Sequence, residues 1–369
     1  MSETGADSAK KKYPNHLIKE ILEQPQVLAA CMNDRLDLAK KQIVFPELKG
    51  FPIPEVIRIV GCGSSANAGM WGANMFEAIS EIPVLIDVAS EARFQSPAFL
   101  PNEIVLAISQ SGESADTLSV IRDCKKAGLK VIVLTNTPSS TLAKLANVLL
   151  FTNAGEEIAI PATKSLSAQM IYLLLLAIYW AEKKGVLATA SRDFFFEDLP
   201  ELPENVALTL PAIQSTSRAL AAKYRKFRHF FFLGRGTNYP LALEGALKFK
   251  EITYIHAEGI SLGAIPHGAR ALLDESVPVF ALALSDQYLA RTIQDLMELK
   301  KQGCKMIALC NPGQTPRVDD LWPLPLMYGP LSSFLALPAM QLFAYEIGIA
   351  LNRTVDTPRT LMKSVTEHD

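Results

Sequence analysis

The sequence predicts two tandem α/β domains, each a doubly wound, mainly parallel five-stranded sheet. Three observations predict it. Short apolar, β-prone runs alternate with helically spaced stretches from Val56 onward. The turns ending those runs carry serine and glycine, and no hairpin signal joins one run to the next. The pattern then repeats. Phe231-Phe232-Leu233-Gly234-Arg235-Gly236-Thr237 echoes Ile59-Val60-Gly61-Cys62-Gly63-Ser64, and Lys300 to Asn311 echoes Lys125 to Asn136, at offsets of about 173 to 175 residues.

The elements follow in order. Residues 1–15 form a polar, lysine-bearing tail rather than a signal peptide. Residues 16–185 hold an N-terminal helix and the first domain. His16 to Asp37 is amphipathic, with Leu17, Ile18, Ile21, Leu22, Val27, Leu28 and Met32 as its stripe and Pro25 as an interruption. Strands are expected at Val56–Val60, Ile82–Val88, Glu103–Ile108, Lys130–Asn136 and Val148–Thr152. Helices are expected at Ala68–Ile79, from Glu113 to Gly128, at Thr141–Ala146 and at Ser165–Lys184. Residues 186–226, with a Phe-rich patch, two prolines near Leu199 to Pro203 and then helical spacing to Arg225, form a link that is partly helix. Residues 227–350 are the second domain, ending in an apolar helix. Residues 351–369 are a polar tail with little means of packing itself.

Composition narrows the function. A net charge of −2 offers no basic surface for nucleic acid and no charge block for an anionic membrane. Five cysteines (Cys31, Cys62, Cys124, Cys304, Cys310) form an odd set without CxxC spacing. That suits free thiols in a reducing compartment, not disulfides or zinc. The apolar run Met170–Ala181 is shorter than the ~20 residues of a membrane span. A cytoplasmic, metal-free protein without cofactor is expected.

The chemistry centres on Glu103 to Thr117. An apolar strand runs into Ser109-Gln110-Ser111-Gly112 and then into a helix with Ser114 at its start. Free N–H groups, the positive helix end and serine hydroxyls make an anion cradle. The alternative is that the serines only cap a helix. Neither glycine-rich nucleotide motif is matched, so a sugar phosphate is the expected anion. Ser64 and Ser65 follow a neighbouring strand end, where open α/β sheets bind ligands. The second copy replaces the cradle with Ser285-Asp286-Gln287-Tyr288, whose carboxylate would repel phosphate.

Elsewhere, Glu244, Lys248 and Glu251 share one helix face. Spacing alone favours an exposed salt-bridge ladder at about 0.2–0.5 kcal/mol per pair. The helix follows a crevice loop, however, where a carboxylate beside an ammonium can act as a base. His267 lies in a tight turn between Gly263 and Gly268, placed to move protons near neutrality. His256 is expected to be a buried, hydrogen-bonded side chain. Lys363 is by default a solvated lysine.

Taken together, these residues resemble the isomerase half of glucosamine-6-phosphate synthase (glutamine–fructose-6-phosphate aminotransferase), a family of tandem sugar-isomerase (SIS) domains of flavodoxin-like fold. The resemblance runs from Lys19 to the C-terminus. It includes Ile108-Ser109-Gln110-Ser111-Gly112-Glu113, Ala162-Thr163-Lys164, Leu243 to Glu251, Tyr254-Ile255-His256-Ala257-Glu258 and Asp356 to Thr366.

The resemblance implies that Ser65, Ser109, Gln110 and Ser111 bind the sugar phosphate, with Ser114 where the family usually has threonine. It implies that Glu251 moves a proton between C1 and C2, and that His267 opens the ring, reaching into the neighbouring subunit of a homodimer. Lys248 matches an active-site lysine. Lys363 matches the tail lysine for Schiff-base chemistry, whose pKa must fall from about 10.4, and the resemblance implies that the tail, residues 351–369, closes over the active site. Three departures stand out. The glutaminase domain has no counterpart, so a separate glutaminase partner or free ammonia would be needed. Gly263-Ala264-Ile265-Pro266-His267-Gly268 replaces Gly-Glu-Leu-Lys-His-Gly. Pro161-Ala162 replaces small and hydroxyl residues. The expected reaction interconverts glucosamine 6-phosphate and fructose 6-phosphate plus ammonia. Deglycation of another phosphorylated ketosamine and a non-catalytic sugar-phosphate sensor are the alternatives.

Overall fold

The computed structural model describes residues 13–313, 315–327 and 329–366. The lysine-bearing stretch 1–12, expected as part of a tail, and residues 367–369 lie outside them. The N-terminal segment is two helices, His16–Leu22 and Gln24–Met32. A short antiparallel pair follows, β1 (Leu36–Asp37) and β2 (Gln42–Ile43). The absence of hairpins expected from the sequence therefore fails here, because two-residue strands leave almost no periodic signal.

Ten further strands form two parallel sheets. The first holds β3 (Val56–Gly61), β4 (Val84–Val88), β5 (Glu103–Ser109), β6 (Lys130–Thr135) and β7 (Val148–Phe151), in the order β4-β3-β5-β6-β7. The second holds β8 (His229–Gly234), β9 (His256–Ser261), β10 (Val279–Ala283), β11 (Met306–Cys310) and β12 (Asp320–Pro323), in the order β9-β8-β10-β11-β12. Every neighbour in both sheets is parallel. Counted within its own sheet, each order is 2-1-3-4-5, the flavodoxin-like winding. The central strands are buried along their whole length, as a sheet covered on both faces requires.

The chain folds as two compact units that are not contiguous in sequence. One gathers the chain up to Pro25, Ile158–Thr163 and Glu201–Leu361, including the second sheet. The other gathers Gln26–Glu157, Lys164–Pro200 and the chain from Met362, including the first sheet.

In the second sheet the run Phe230-Phe231-Phe232-Leu233 alternates faces. Phe231 and Leu233 enter a core with Val279, Ala281, Met306 and Leu296. Phe230 and Phe232 face an aromatic cluster, with Phe232 stacked on Phe280 at 5.1 Å and Phe249 on Phe343 at 5.6 Å. The first sheet has its own core around Val60, Val105, Val131, Leu118 and Ile121.

Three further expectations gain detail. The helix expected in the later part of residues 186–226 starts earlier: Thr189–Tyr224 is one helix that runs through Pro200, Pro203 and Pro211. Burial of Phe195, Phe196, Leu199, Leu202, Val206 and Ile213 outweighs the cost of the prolines. The helix expected from Ala68 begins at Ser64. The C-terminal tail is pinned through its described residues. The Asp356 carboxylate accepts the N–H groups of His16 and Leu17 at 3.0 and 2.8 Å, and Val355 is buried. Helices Lys164–Lys184 and Gly329–Ala350 are long and apolar enough to span a membrane by composition, but 94% and 83% of their apolar windows are buried in the protein.

Candidate active site

The first sheet reverses its winding between β3 and β5, and both strands end there in polar turns. Ser64 and Ser65 form the first turn of the Ser64–Met75 helix, with the Ser65 N–H donating to Cys62 O at 3.0 Å. The Ser65 hydroxyl accepts from Gln169 Nε2 at 3.1 Å. Beyond β5, Ser109 Oγ accepts the Gly112 N–H at 3.0 Å and lies 3.5 Å from Ser114 Oγ. Ser111 Oγ accepts the Glu113 N–H at 3.2 Å.

This loop is held before any ligand arrives. The Gln110 carbonyl accepts from Asn136 N, Thr135 Oγ1 and Thr137 Oγ1 at 3.1, 3.2 and 3.3 Å. Gly112 has φ +67°, and a Cβ there would lie 2.1 Å from Ser140 Oγ. Glu113, the loop's carboxylate, turns away and caps the next helix through the Thr141 N–H at 2.8 Å. Ser114 occupies the N-cap position of the Ala115–Lys126 helix but makes no side-chain cap bond. Ser114 is thus not spent as an ordinary cap, while Ser109 and Ser111 each accept one backbone N–H of the loop. Hydroxyls and two helix N-termini lie at the switch point, the composition of an anion site, and the nearby carboxylates of Glu113 and the first-turn Asp116 are engaged by the Thr141 N–H and by Arg93.

On the Asn238–Thr253 helix, the exposed ladder favoured by spacing is not what forms. Lys248 is 1% exposed and Glu244 2%. Lys248 Nζ lies 3.6 Å from Glu244 Oε1 and pairs directly with Glu251 Oε2. Glu251 remains partly exposed and lines a cavity of about 420 Å³ with Lys250, Tyr254, His256 and Arg359. The buried Lys248 side chain holds this carboxylate in place at the cavity, the placement a proton-transferring base requires.

His267 ends the 3₁₀ turn Ile265–His267, is exposed and lies outside the lining of that cavity. His256 is not buried as expected. It is exposed, with its Nδ1 3.4 Å from Nδ1 of His229 on the adjacent strand.

Lys363 is not free in solvent. Its Nζ donates to Glu157 Oε2 at 2.8 Å. Glu157 also accepts the Ser165 N–H and hydroxyl at 3.1 and 2.7 Å. Two residues later, Val365 O accepts the Ala115 N–H at 3.0 Å, at the start of the cradle helix. Sequence reasoning missed Glu157, because two adjacent glutamates in an irregular loop carry no local sign of which one is buried. Among the described residues, no three His, Cys, Asp or Glu side chains gather in a way that could hold a metal ion.

The sequence matches the model of the SIS domain over residues 55–179 and 223–319. The chain belongs to the SIS domain family. It is 35% identical over 368 residues to the glutamine–fructose-6-phosphate aminotransferase (isomerizing) of Clostridium tetani, covering 98% of this chain and 60% of that one. This SIS-domain chain therefore spans less than two thirds of that relative's length. Among solved structures it is similar to the C-terminal domain of glucosamine-fructose-6-phosphate aminotransferase from Francisella tularensis, with a TM-score of 0.89 at 29% identity over 94% of this chain and 99% of that one. It is also similar to glucosamine-6-phosphate deaminase from Thermotoga maritima, with a TM-score of 0.74 at 25% identity over 95% and 100% of the two chains.

The second SIS sheet has the same switch point, between β8 and β10, but its own side chains fill it. The Tyr288 ring lies 3.2 Å from where a Cβ at Gly236 would sit. Asp286 accepts the Tyr288 N–H at 2.7 Å and lies 3.4 Å from Asn238 Nδ2. Burial holds the Asp286 carboxyl above the ordinary carboxylate range. One SIS sheet keeps an open polar turn at its switch point, and the other closes it.

Proposed function

We propose that this chain is a sugar-phosphate isomerase and deaminase that interconverts glucosamine 6-phosphate plus water with fructose 6-phosphate plus ammonia. Ser64, Ser65, Ser109, Gln110, Ser111 and Ser114 hold the phosphate. His267 assists ring opening to the C1 aldehyde. Glu251 takes the C2 proton and returns it at C1, through an enolamine. The resulting C2 imine adds water and releases ammonia. Lys363 supplies the amine for a Schiff base with the open-chain ketose in the reverse direction.

The observation that carries this reading is the buried Lys248 between Glu244 and Glu251. A sensor that only binds a sugar phosphate needs the serine cradle. It has no use for a buried lysine that orients a partly exposed carboxylate at a cavity. The similarity to a synthase's isomerase domain and to a deaminase supports the substrate class. We place the enzyme in the cytoplasm, where five free cysteines stay reduced.

Purified protein given glucosamine 6-phosphate should yield ammonia and fructose 6-phosphate, and the reverse with ammonium should yield the amino sugar. No reaction in either direction would overturn the reading. The reading also includes a homodimer in which His267 serves the neighbouring subunit. Mixing inactive Glu251→Gln and His267→Asn variants should then restore part of the activity. Mixtures that stay inactive would remove that part.

A further inference from the structure

We infer that Gln169 is a positioning residue that fixes the Ser65 hydroxyl as a hydrogen-bond donor toward a phosphate dianion in the cradle. The inference rests on the cradle being a phosphate site. It begins with an anomaly on the Lys164–Lys184 helix. That helix is buried almost throughout, yet it carries an amide at Gln169, which is 3% exposed. One end of this amide is used: Nε2 donates to Ser65 Oγ at 3.1 Å. The other end, Oε1, is buried and makes no hydrogen bond.

An orphaned acceptor inside a protein is costly and needs a reason. Turning the amide over would not remove the cost. It would leave both N–H groups unpaired, where the present orientation leaves one N–H and the carbonyl, and an under-satisfied carbonyl is the more readily tolerated. The amide therefore keeps its N–H toward Ser65, and that choice has a directional consequence. A serine hydroxyl has one hydrogen and two lone pairs. With a lone pair occupied by Gln169, its hydrogen must point elsewhere. Ser65 sits in the first turn of a helix at the switch point of the sheet, so the open direction is the anion site. In the opposite sense, Ser65 would donate to Gln169 and present lone pairs to the phosphate. Gln169 thus makes the cradle selective for a full dianion, an acceptor on every oxygen, over neutral groups that must donate.

The test is a double-mutant cycle read by binding of inorganic phosphate, measured by calorimetry on the full chain, with glucosamine 6-phosphate kinetics alongside. Gln169→Met, close in size but unable to donate, should weaken phosphate binding about fivefold to tenfold, as should Ser65→Ala. The double variant should be no weaker than Ser65→Ala alone, because nothing remains to orient. KM should rise while kcat stays within about twofold. Additive losses, or phosphate binding by Gln169→Met equal to the parent, would overturn the inference. If Gln169→Met does not fold, Gln169→Glu reads the same point: it accepts the Ser65 hydrogen and should lose more affinity than Ser65→Ala. Binding at or above the Ser65→Ala level would count against the inference. Absence of phosphate binding in the parent protein would instead remove the cradle reading itself.

Discussion

Lys363 Nζ donates to Glu157 Oε2 at 2.8 Å, and the Glu157 carboxylate is wholly buried. The pair ties the C-terminal segment to a loop 206 residues earlier. Ser165 satisfies the same carboxylate from a helix start. Glu157→Gln removes the charge that holds the ammonium while keeping an acceptor for Ser165. Hydrogen exchange should quicken at residues 362–366 and at the Ala115 amide, whose acceptor is Val365 O. Unchanged exchange at Ala115 would show that the ion pair does not anchor the segment.

Gly112→Ala should damage binding and stability together. The residue sits at φ +67°, and the new Cβ would meet Ser140 Oγ at 2.1 Å. The left-handed strain alone is worth about 1–2 kcal/mol, and the collision adds to it. Adding Ser140→Gly should relieve only the collision. Chemical denaturation of the single and double variants separates the two contributions.

Lys248→Met should cost about 3–5 kcal/mol, because it leaves Glu244 buried beside an unpaired Glu251. Adding Glu244→Gln should recover part of that loss. Glu251→Gln should behave differently. It should still bind inorganic phosphate but lose about 10²–10⁴ in turnover. Full turnover by Glu251→Gln would remove this residue from the reaction.

The closed crevice of the second sheet gives a prediction in pH. Burial raises the Asp286 carboxyl, opposed by the Tyr288 N–H and by Arg235. Between the ordinary aspartate value and the raised one, the folded chain holds a proton that the unfolded chain has released. The stability from this group is therefore complete below the ordinary value and is lost as pH rises through the raised one. Asp286→Asn should gain in melting temperature over the parent at about pH 8, and the gain should shrink at about pH 4. A difference independent of pH would mean that the effect is not electrostatic.

Much of this was legible in the chain. The serine cradle was readable because strand, polar turn and helix are contiguous from Glu103 to Lys126, and local patterns carry contiguous sites. The equivalence of the two sheets was readable because Gly234 and Gly61 keep their offset. What was not readable depended on burial. The spacing of Glu244, Lys248 and Glu251 is the same whether the face meets water or protein, and spacing alone favoured water. Two prolines near Leu199 to Pro203 argued for a break before the helical spacing that leads to Arg225, and only the buried Phe195 and Leu199 side of the Thr189–Tyr224 helix reverses the argument.

By itself, the order of residues determined the class of fold, the serine-rich turn at the switch point of the first sheet and its replacement by Asp286 and Tyr288 in the second, since each follows from neighbours along the chain. Tertiary structure alone decided that Lys248 is desolvated, that Glu157 receives Lys363 and that Gln169 sits against Ser65. Those pairings join residues from remote parts of the chain or depend on the dielectric around them. No local pattern encodes the removal of water that gives each its strength.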